Sequence, residues 1–289
     1  MLIIDSQIHP YGPGANLAPG GSHLPGPPSA TGEEILAAMA AAGVDAAILV
    51  SAWAYYRYDA RYAVSVRNQW PERFALVNPV DLDDPALAET VAAWGATPGA
   101  IAIRLLLPST TRLDPDDARL HTAILAAKRA GLAINMACVD QMPLAGHLAS
   151  RHPSARFVLD HLGLRQPLEP PPLAEPFADL ANVLALAAHD NIAIKVSGVG
   201  TLSRQAWPFA DIWPPLARVF AAYGLARCMW GSDWTRTIHF LSYAQAVAMF
   251  RDHAGLAGEE LAQLMGGTLQ RIYGWTPAIA APPPARAMG

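Results

Sequence analysis

The residues of this chain best suited to chemistry stand at the ends of apolar segments that lie far apart in the sequence. Asp233 ends one such segment, while His9, Arg104 and His161 end three others. A carboxylate, two imidazoles and a guanidinium can together activate water, stabilise a negatively charged oxygen and bind an anionic group. If the segments are parallel strands, their carboxyl ends meet at one face. Asp233 is then a candidate active-site residue.

The spacing of these residues predicts which of them share a face. Residues two apart on a strand point to the same side, so Asp5, Gln7 and His9 are expected together in the interior of a barrel. Asp160 and His161 are adjacent, and the same alternation predicts that only one of them faces the interior. A structural interpretation also exists for each, because Asp160 could cap the following turn and His9 could simply bond the backbone.

Two segments carry cations among apolar neighbours. Arg104 stands between Ile and Leu residues, where an uncompensated charge is costly to bury, so its guanidinium needs a carboxylate partner. That partner could equally be a protein side chain or the substrate. Lys195 is in a similar position, in the run Ile194-Lys195-Val196-Ser197-Gly198, and is interpreted as a member of a structural ion pair.

The composition suits a large buried core and argues against several kinds of partner. The 289 residues are 52% hydrophobic and 15% charged, with a formal net charge of −4. No dense Lys/Arg patch with interleaved aromatic residues is present, so nucleic acid is not an expected partner. No uninterrupted apolar stretch reaches about 18 residues, and the first residues lack the features of a signal peptide. The sequence therefore predicts a cytoplasmic protein with a small-molecule substrate and no membrane partner, and it leaves homo-oligomer formation open.

Eight short apolar runs alternate with helical patterns along the chain. The runs are rich in Ile, Val and Leu without strict polar alternation, which is typical of strands buried on both faces of a parallel sheet. They cover residues 2–9, 46–52, 74–80, 100–107, 132–138, 156–161, 192–197 and 227–232. Helices are predicted from the capping-box pattern at 31–34 onward and over 60–70, 84–95, 116–130, 141–151, 174–189, 209–223 and 240–254.

This alternation predicts an α/β fold, a single-domain (β/α)8 TIM barrel over residues 1–275. A doubly wound open sheet is the alternative, but no Gly-rich phosphate loop follows the first strand. The long loops 11–31 and 163–172 would lie at the C-terminal face of a barrel, and the loop 11–31 is a candidate lid. Residues 276–289, rich in Ala and Pro, are predicted to form a flexible tail.

Four motifs in this order and spacing resemble the amidohydrolase-related family, in the branch that includes sugar lactonases and 2-pyrone-4,6-dicarboxylate lactonase. They are Asp5-Ser6-Gln7-Ile8-His9, Asp160-His161-Leu162-Gly163, Lys195-Val196-Ser197-Gly198 and Gly231-Ser232-Asp233-Trp234. The resemblance runs from residue 3 to about 275 and includes the last helix, over 264–274. It implies an amidohydrolase-like barrel that hydrolyses a small-molecule lactone or a related ester or amide bond.

The resemblance also implies roles for individual residues. Asp233 would activate water, and His9 and His161 would stabilise the carbonyl oxygen of the substrate. The same three side chains would be the candidate ligands if one divalent metal such as Zn²⁺ were bound. Arg104 matches an arginine that in some relatives binds a substrate carboxylate. Trp53 and Tyr55, which follow the second strand, are candidate substrate contacts in an aromatic wall.

Gln7 departs from the family's usual first-strand motif, His-x-His. An amide is a weaker ligand for a divalent metal than an imidazole, so metal-independent hydrolysis is supported about as well as a bound metal. Gln7 is instead a candidate substrate contact. Two alternative functions remain at this point. One is a metal-dependent decarboxylase of a small aromatic acid, which Gln7 disfavours, and the other is a catalytically inactive ligand-binding barrel.

Overall fold

Eight parallel strands form a nearly closed barrel with helices on its outside. The computed structural model describes residues 1–19, 24–107, 110 and 113–279. The strands follow one another around the sheet in chain order, and each pairs in parallel with the next. This arrangement confirms the predicted (β/α)8 TIM barrel and excludes the doubly wound sheet.

The strands and helices fall close to the predicted positions. The strands are β1 (Ile4–Ile8), β2 (Ala46–Val50), β3 (Phe74–Pro79), β4 (Ala100–Leu106), β5 (Ala133–Ala137), β6 (Phe157–Leu159), β7 (Ile192–Ser197) and β8 (Cys228–Gly231). The helices are α1 (Gly32–Ala42), α2 (Trp53–Tyr56), α3 (Arg61–Gln69), α4 (Leu87–Gly95), α5 (Ala118–Arg129), α6 (Met142–Arg151), α7 (Leu180–Ala185), α8 (Trp213–Tyr223), α9 (Trp234–Thr237), α10 (Tyr243–His253), α11 (Gly258–Ala262) and α12 (Thr268–Tyr273).

The starts of three helices show how local sequence sets their bounds. The predicted capping box at the start of α1 is present, since the Thr31 side chain accepts from the Glu34 backbone N–H and Glu34 returns a bond to the Thr31 N–H. The two helices with the largest delay relative to the predicted start are α7 and α8. Helix α7 starts only at Leu180, after Pro176, and α8 starts at Trp213, after Phe209 adopts a left-handed backbone with φ 61°.

Small apolar side chains fill the amino-terminal part of the barrel interior. This inner layer comprises Ile4, Ala46, Ile48, Val50, Ala75, Val77, Ala102, Ala133, Val158, Ala193 and Met229. For each of the four consecutive strands β4 to β7, a polar residue stands two positions after the last residue of this inner layer. These polar residues are Arg104, Asn135, Asp160 and Lys195. Because alternate residues of a strand share a face, these polar side chains form the next layer toward the C-terminal mouth.

The barrel closes where β8 meets β1, and an irregularity there corrects one prediction. The backbone N–H of Asp233 donates to the Gln7 carbonyl at 3.1 Å and links the two strands. The register between β1 and β2 shifts between Asp5 and Ile8, so the strand does not keep a regular alternation. Asp5 therefore does not share the interior face with Gln7 and His9, contrary to the prediction. Its carboxylate accepts from the backbone N–H groups of Gln7 and Ser232 instead.

The long loop after β1 is fastened at its base. Tyr11 and Ala30 form an antiparallel bridge, with N···O distances of 3.1 and 2.9 Å, and the Tyr11 hydroxyl donates to the Pro27 carbonyl at 2.7 Å. Tyr11 also packs on Tyr55, with 4.7 Å between the ring centroids. The loop returns over the C-terminal face, where Leu24 contributes to a cavity wall. Its function as a lid stays a prediction.

Within the part of the chain that is described, no helix is long and apolar enough to cross a bilayer. Cys138 and Cys228 are buried and not linked to one another, as expected from their apolar surroundings. Residues 280–289 of the predicted tail lie outside the described residues.

Candidate active site

A cavity of about 230 Å³ opens at the C-terminal ends of the strands. Its lining residues are His9, Leu24, Ala52, Trp53, Ala54, Arg104, Leu106, His161, Leu168 and Arg236. The polar members come from strand ends and from α9, while the apolar ones come mainly from loops. Such a cavity fits a small molecule better than a polymer. The predicted site residues His9, Arg104 and His161 thus share one space, and Asp233 lies directly beneath them.

Asp233 is fully buried, and its two carboxylate oxygens have different surroundings. Oδ2 accepts from the Nε of Arg236 and lies 3.5 Å from the Nδ1 of His161. Oδ1 lies 3.6 Å from the Nε2 of His9 and has no hydrogen-bond partner among the described residues. Burial would raise the pKa of this carboxyl, but Arg236 and the two histidines outweigh burial and hold the pKa below its usual value. The carboxyl of Asp233 is therefore ionised at neutral pH, and one of its oxygens has no partner among the described residues.

His9 is held by backbone groups and by Gln7. Its Nδ1 lies 2.9 Å from the carbonyl oxygen of Val50, and its Nε2 lies 3.2 Å from the amide nitrogen of Gln7. A carbonyl oxygen only accepts, so Nδ1 carries the proton of the neutral ring and Nε2 is an acceptor. Burial lowers the pKa of His9 to about 4, although Asp233 opposes that shift. The imidazole is consequently neutral at pH 7.

His161 enters the site by a backbone turn that the strand alternation did not anticipate. β6 ends at Leu159, and His161 adopts a left-handed backbone with φ 54°. Asp160 and His161 therefore both face the interior, and the prediction that only one of them would do so is wrong. The Nδ1 of His161 lies 2.9 Å from the Ser197 hydroxyl. Burial lowers the pKa of His161 to about 3, against the opposing charge of Asp233.

Arg104 finds its carboxylate partner inside the protein. Its Nε donates to Asp160 Oδ2 at 2.7 Å, and the other oxygen of Asp160 lies 3.2 Å from the Lys195 ammonium and 3.3 Å from the amide nitrogen of Asn135. Asp160 is thus the centre of a buried ionic layer and not the cap of a turn. Burial would raise the pKa of Asp160, but Lys195 and Arg104 reverse that effect and hold it well below its usual value. Lys195 is an ion-pair member, as its sequence position indicated.

Two site residues were missed at the level of sequence, Arg236 and Gln166. Arg236 stands three residues after Asp233 on the short helix α9, and its second amino group donates to Gln166 Oε1. Gln166 in turn donates from its amide to the Ser197 carbonyl at 2.9 Å. The spacing Asp-x-x-Arg at a strand end was the available signal for Arg236. For Gln166, which lies in the loop 163–172, no comparable signal exists.

Gly198, the glycine of the Lys195-Val196-Ser197-Gly198 motif, leaves room for the contact between Gln166 and Arg236. Gly198 has φ 65°, in the left-handed region that favours glycine. A Cβ at this position would lie 2.5 Å from the Gln166 oxygen and 2.6 Å from an amino group of Arg236. Any side chain here would therefore displace Gln166 and Arg236, and with Arg236 the donor to Asp233 Oδ2.

The two predicted aromatic contacts occupy different places. Trp53 lines the cavity, and the guanidinium of Arg57 lies 4.0 Å from the centre of its ring. Tyr55 is not part of the cavity lining within the described residues. It packs between Tyr11 and Tyr56, with ring centroids 4.7 and 6.3 Å away, and supports the base of the long loop. A direct substrate contact is supported for Trp53 more than for Tyr55.

The donor set around Asp233 does not fit a divalent metal. Among the described residues, no three His, Cys, Asp or Glu side chains are grouped so as to hold an ion. His9 Nε2 and Asp233 Oδ1 are near each other, but the amide nitrogen of Gln7 points at the His9 lone pair that a metal would need. The ammonium of Lys195, 2.8 Å from Gln7 Oε1, holds the Gln7 amide oxygen away from His9. Gln7 is therefore placed as a hydrogen-bond donor and not as a ligand.

Replacing Arg236 is expected to change the pH dependence of any reaction in which Asp233 acts as base. In Arg236→Gln, burial is no longer offset by the guanidinium, so the pKa of Asp233 rises and the acid limb of the kcat/KM profile moves to higher pH. Arg236→Lys keeps a cation and should shift the limb less. An unshifted acid limb in Arg236→Gln would show that Asp233 does not titrate in catalysis.

Comparison with known proteins relates this geometry to a family. The amidohydrolase family model matches residues 4–275. The chain is 26% identical over 285 residues to D-galactarolactone isomerase of Agrobacterium fabrum, a match that covers 96% of this chain and 86% of that protein. It is 29% identical over 227 residues to L-fucono-1,5-lactonase of Burkholderia ambifaria, covering 74% and 75% of the two chains.

Solved structures share the whole barrel. A putative 2-pyrone-4,6-dicarboxylic acid hydrolase from Pseudomonas putida superposes with a TM-score of 0.75 at 25% identity, over 94% of this chain and 97% of the other. An amidohydrolase from Burkholderia multivorans, solved with bound zinc, gives a TM-score of 0.75 at 24% identity, over 96% and 100% of the two chains. The likeness extends beyond the central sheet to nearly all elements of the fold.

Proposed function

Since the chain belongs to the amidohydrolase family and is a hydrolase of that superfamily, we propose that it hydrolyses a small-molecule lactone that carries an anionic group, with Asp233 as the base and no metal. The observation that carries this proposal is the free oxygen of Asp233. Oδ1 is buried, charged and without a partner among the described residues, which is costly unless a water molecule or a reacting group binds it. His9, whose Nε2 lies 3.6 Å from that oxygen, lines the cavity.

The reaction follows from the position of that oxygen. A water bound to Asp233 Oδ1 attacks the lactone carbonyl carbon, and its proton passes to the carboxylate as the new C–O bond forms. The tetrahedral oxyanion is stabilised by His161 on the cavity wall, while the amino groups of Arg104 bind the anionic group of the substrate. The ring C–O bond then breaks, and the leaving alkoxide takes the proton from Asp233. The product is a hydroxy acid.

We assign His9 a role other than the expected one of donating to the carbonyl oxygen of the substrate. In the tautomer that the Val50 carbonyl imposes, a neutral His9 has no N–H left to donate to a carbonyl oxygen. Its Nε2 accepts from the Gln7 amide instead, and the ring leaves the Asp233 oxygen 3.6 Å away without a donor. The predicted role of His9 in stabilising the oxyanion stays a prediction, but the contacts of the ring favour an acceptor.

An anionic group on the substrate is supported by the charge of the site. Three cations, Arg104, Lys195 and Arg236, face two carboxylates, Asp160 and Asp233. Arg104 uses its Nε for Asp160, while its terminal amino groups have no partner among the described residues. A planar guanidinium with free amino groups binds a carboxylate through two parallel hydrogen bonds.

A lactone screen with and without a chelator tests this proposal. The panel pairs aldonic-acid lactones with lactones of the same ring size that carry a carboxylate. Hydrolysis of the carboxylated members is expected, at a rate that EDTA leaves unchanged, because the protein supplies its own base and charge. Activity that is lost in EDTA and restored by Zn²⁺ would overturn the metal-independent mechanism, and turnover confined to neutral lactones would overturn the substrate class.

Lactone isomerisation is a second candidate, favoured by one observation. The match with D-galactarolactone isomerase covers more of this chain than the match with the L-fucono-1,5-lactonase. The same base could deprotonate a hydroxyl of the substrate in place of water, so that the ring re-forms at another oxygen. Product analysis by NMR separates the two, since an isomerase gives a new lactone without a free acid. The decarboxylase alternative requires a bound metal, and the donor set around Gln7 does not support one.

A further inference from the structure

Gln7 stands at the centre of a buried hydrogen-bond chain whose direction is fixed from one end. The Lys195 side chain is fully buried, and its ammonium contacts Asp160 Oδ1 at 3.2 Å and Gln7 Oε1 at 2.8 Å. An ammonium group only donates, so the amide oxygen of Gln7 must face Lys195. The amide nitrogen then points away from Lys195, toward His9 Nε2 at 3.2 Å.

The hydrogen bonds from Lys195 to Gln7 and from Gln7 to His9 also determine which ring nitrogen of His9 carries the proton. The Gln7 amide nitrogen only donates, so His9 Nε2 must accept and cannot hold a hydrogen. At the other side of the ring, the Val50 carbonyl only accepts, so Nδ1 must hold the hydrogen. Two independent contacts, one from β2 and one from the Lys195–Gln7 pair, therefore require the same tautomer.

The tautomer matters because of what lies next to Nε2. Asp233 Oδ1 is only 3.6 Å from this nitrogen and has no other partner among the described residues. With a hydrogen on Nε2, His9 would donate to Oδ1 and occupy the oxygen that has to accept a proton from water. With the hydrogen on Nδ1, the lone pair of Nε2 accepts from the Gln7 amide, and Oδ1 is left free to accept from one water.

We propose that Gln7, oriented by the buried ammonium of Lys195, is a positioning residue that keeps the proton of His9 on Nδ1 and thereby leaves Asp233 Oδ1 free for the attacking water. This inference rests on the proposed hydrolysis for its functional half. Its structural half, the assignment of the His9 tautomer, does not depend on whether the protein hydrolyses a lactone. Gln7 then has a positive role in the site as a hydrogen-bond donor to His9, at the position where the family usually has a metal-binding histidine.

The substitution Gln7→Glu tests the inference with almost no change in shape. A glutamate ionised beside Lys195 still accepts from it through one oxygen, and its other oxygen also only accepts. It therefore requires a hydrogen on His9 Nε2, in addition to the one that the Val50 carbonyl keeps on Nδ1. We expect the ¹⁵N shifts of His9 to show a protonated Nδ1 and a bare Nε2 in the natural protein, and a protonated Nε2 in Gln7→Glu. The His9 signals are assigned by their loss in His9→Asn.

Kinetics test the functional half in the same variant. We expect kcat on a substrate lactone to fall by about tenfold or more in Gln7→Glu, with KM little changed, because the base is blocked while the cavity wall is intact. Gln69→Glu, the same change on the exposed side of α3, is the matched control and should keep kcat. Lys195→Met is a second variant, in which the Gln7 amide loses its fixed orientation. The Val50 carbonyl then holds the tautomer alone, and the form with a hydrogen on Nε2 should gain population.

Each result decides one half of the inference. A protonated Nε2 in the natural protein, with or without lactonase activity, would overturn the tautomer assignment. The expected shifts combined with an undiminished kcat in Gln7→Glu would overturn the functional role of Gln7. If no lactone is hydrolysed at all, the shifts still decide the tautomer, so a failure of the proposed function is distinguishable from a failure of this inference.

Discussion

Asp233→Asn is expected to lower kcat for lactone hydrolysis by about a thousandfold or more while the barrel stays folded. The substitution keeps the shape of the side chain but removes the negative charge and the ability to take a proton from water. The free oxygen beside His9 remains, yet it belongs to an amide that is a very weak base. Steady-state kinetics on the best lactone of the screen measure the effect.

Two further measurements make this prediction specific. Circular dichroism and thermal unfolding should show the native fold, because the Asp233 backbone bond to Gln7 that links β8 to β1 is unaffected. Substrate binding, followed by calorimetry under conditions without turnover, should persist because Arg104 and Trp53 are untouched. A variant that retains more than about a tenth of the natural kcat would exclude Asp233 as the base.

Asp160→Asn is expected to lower the free energy of unfolding by about 3–5 kcal/mol. Asp160 is fully enclosed and balances both Arg104 and Lys195, so the neutral amide leaves two buried cations without a counter-charge. Urea unfolding followed by fluorescence or circular dichroism measures the loss. Because Lys195 also loses the partner that fixes it, the orientation of Gln7 should loosen in the same variant.

The exposed pair Arg251 and Asp252 provides the matched control. Their side chains lie 2.8 Å apart at the surface, where water screens their attraction. Asp252→Asn should therefore change the free energy of unfolding by at most about 1 kcal/mol. Equal losses in the two variants would mean that the layer around Asp160 is not a buried ionic network.

The fold and the position of the candidate site could be predicted from the sequence, because both depend on the order of apolar and helical segments along the chain. Apolar runs that are buried on both faces, separated by helical periodicity, specify a parallel barrel, and the C-terminal ends of its strands are known in advance to converge. That reasoning was enough to bring His9, Arg104, His161 and Asp233 together. Fold and convergence require only the order of the elements and not the details of any backbone angle.

The remaining features depended on backbone irregularities and long-range contacts. The register shift in β1 removed Asp5 from the interior face, and the left-handed turn at His161 brought in a second side chain where alternation allows one. Neither deviation has a periodic signature. The contact of Gln166 with Arg236 joins residues 70 positions apart in the chain, and no local pattern connects them.

The origin of the cavity wall has a consequence for how this enzyme could be retargeted. The charged groups are anchored on strands or directly after them and bonded to one another, whereas Leu24, Trp53 and Leu168 come from the segments after β1, β2 and β6. Under the proposed function, the apolar part of substrate selection therefore lies in segments separate from the charged groups that carry the reaction. A library confined to these three positions should yield variants with altered substrate preference that still fold, because it spares every member of the ionic layer.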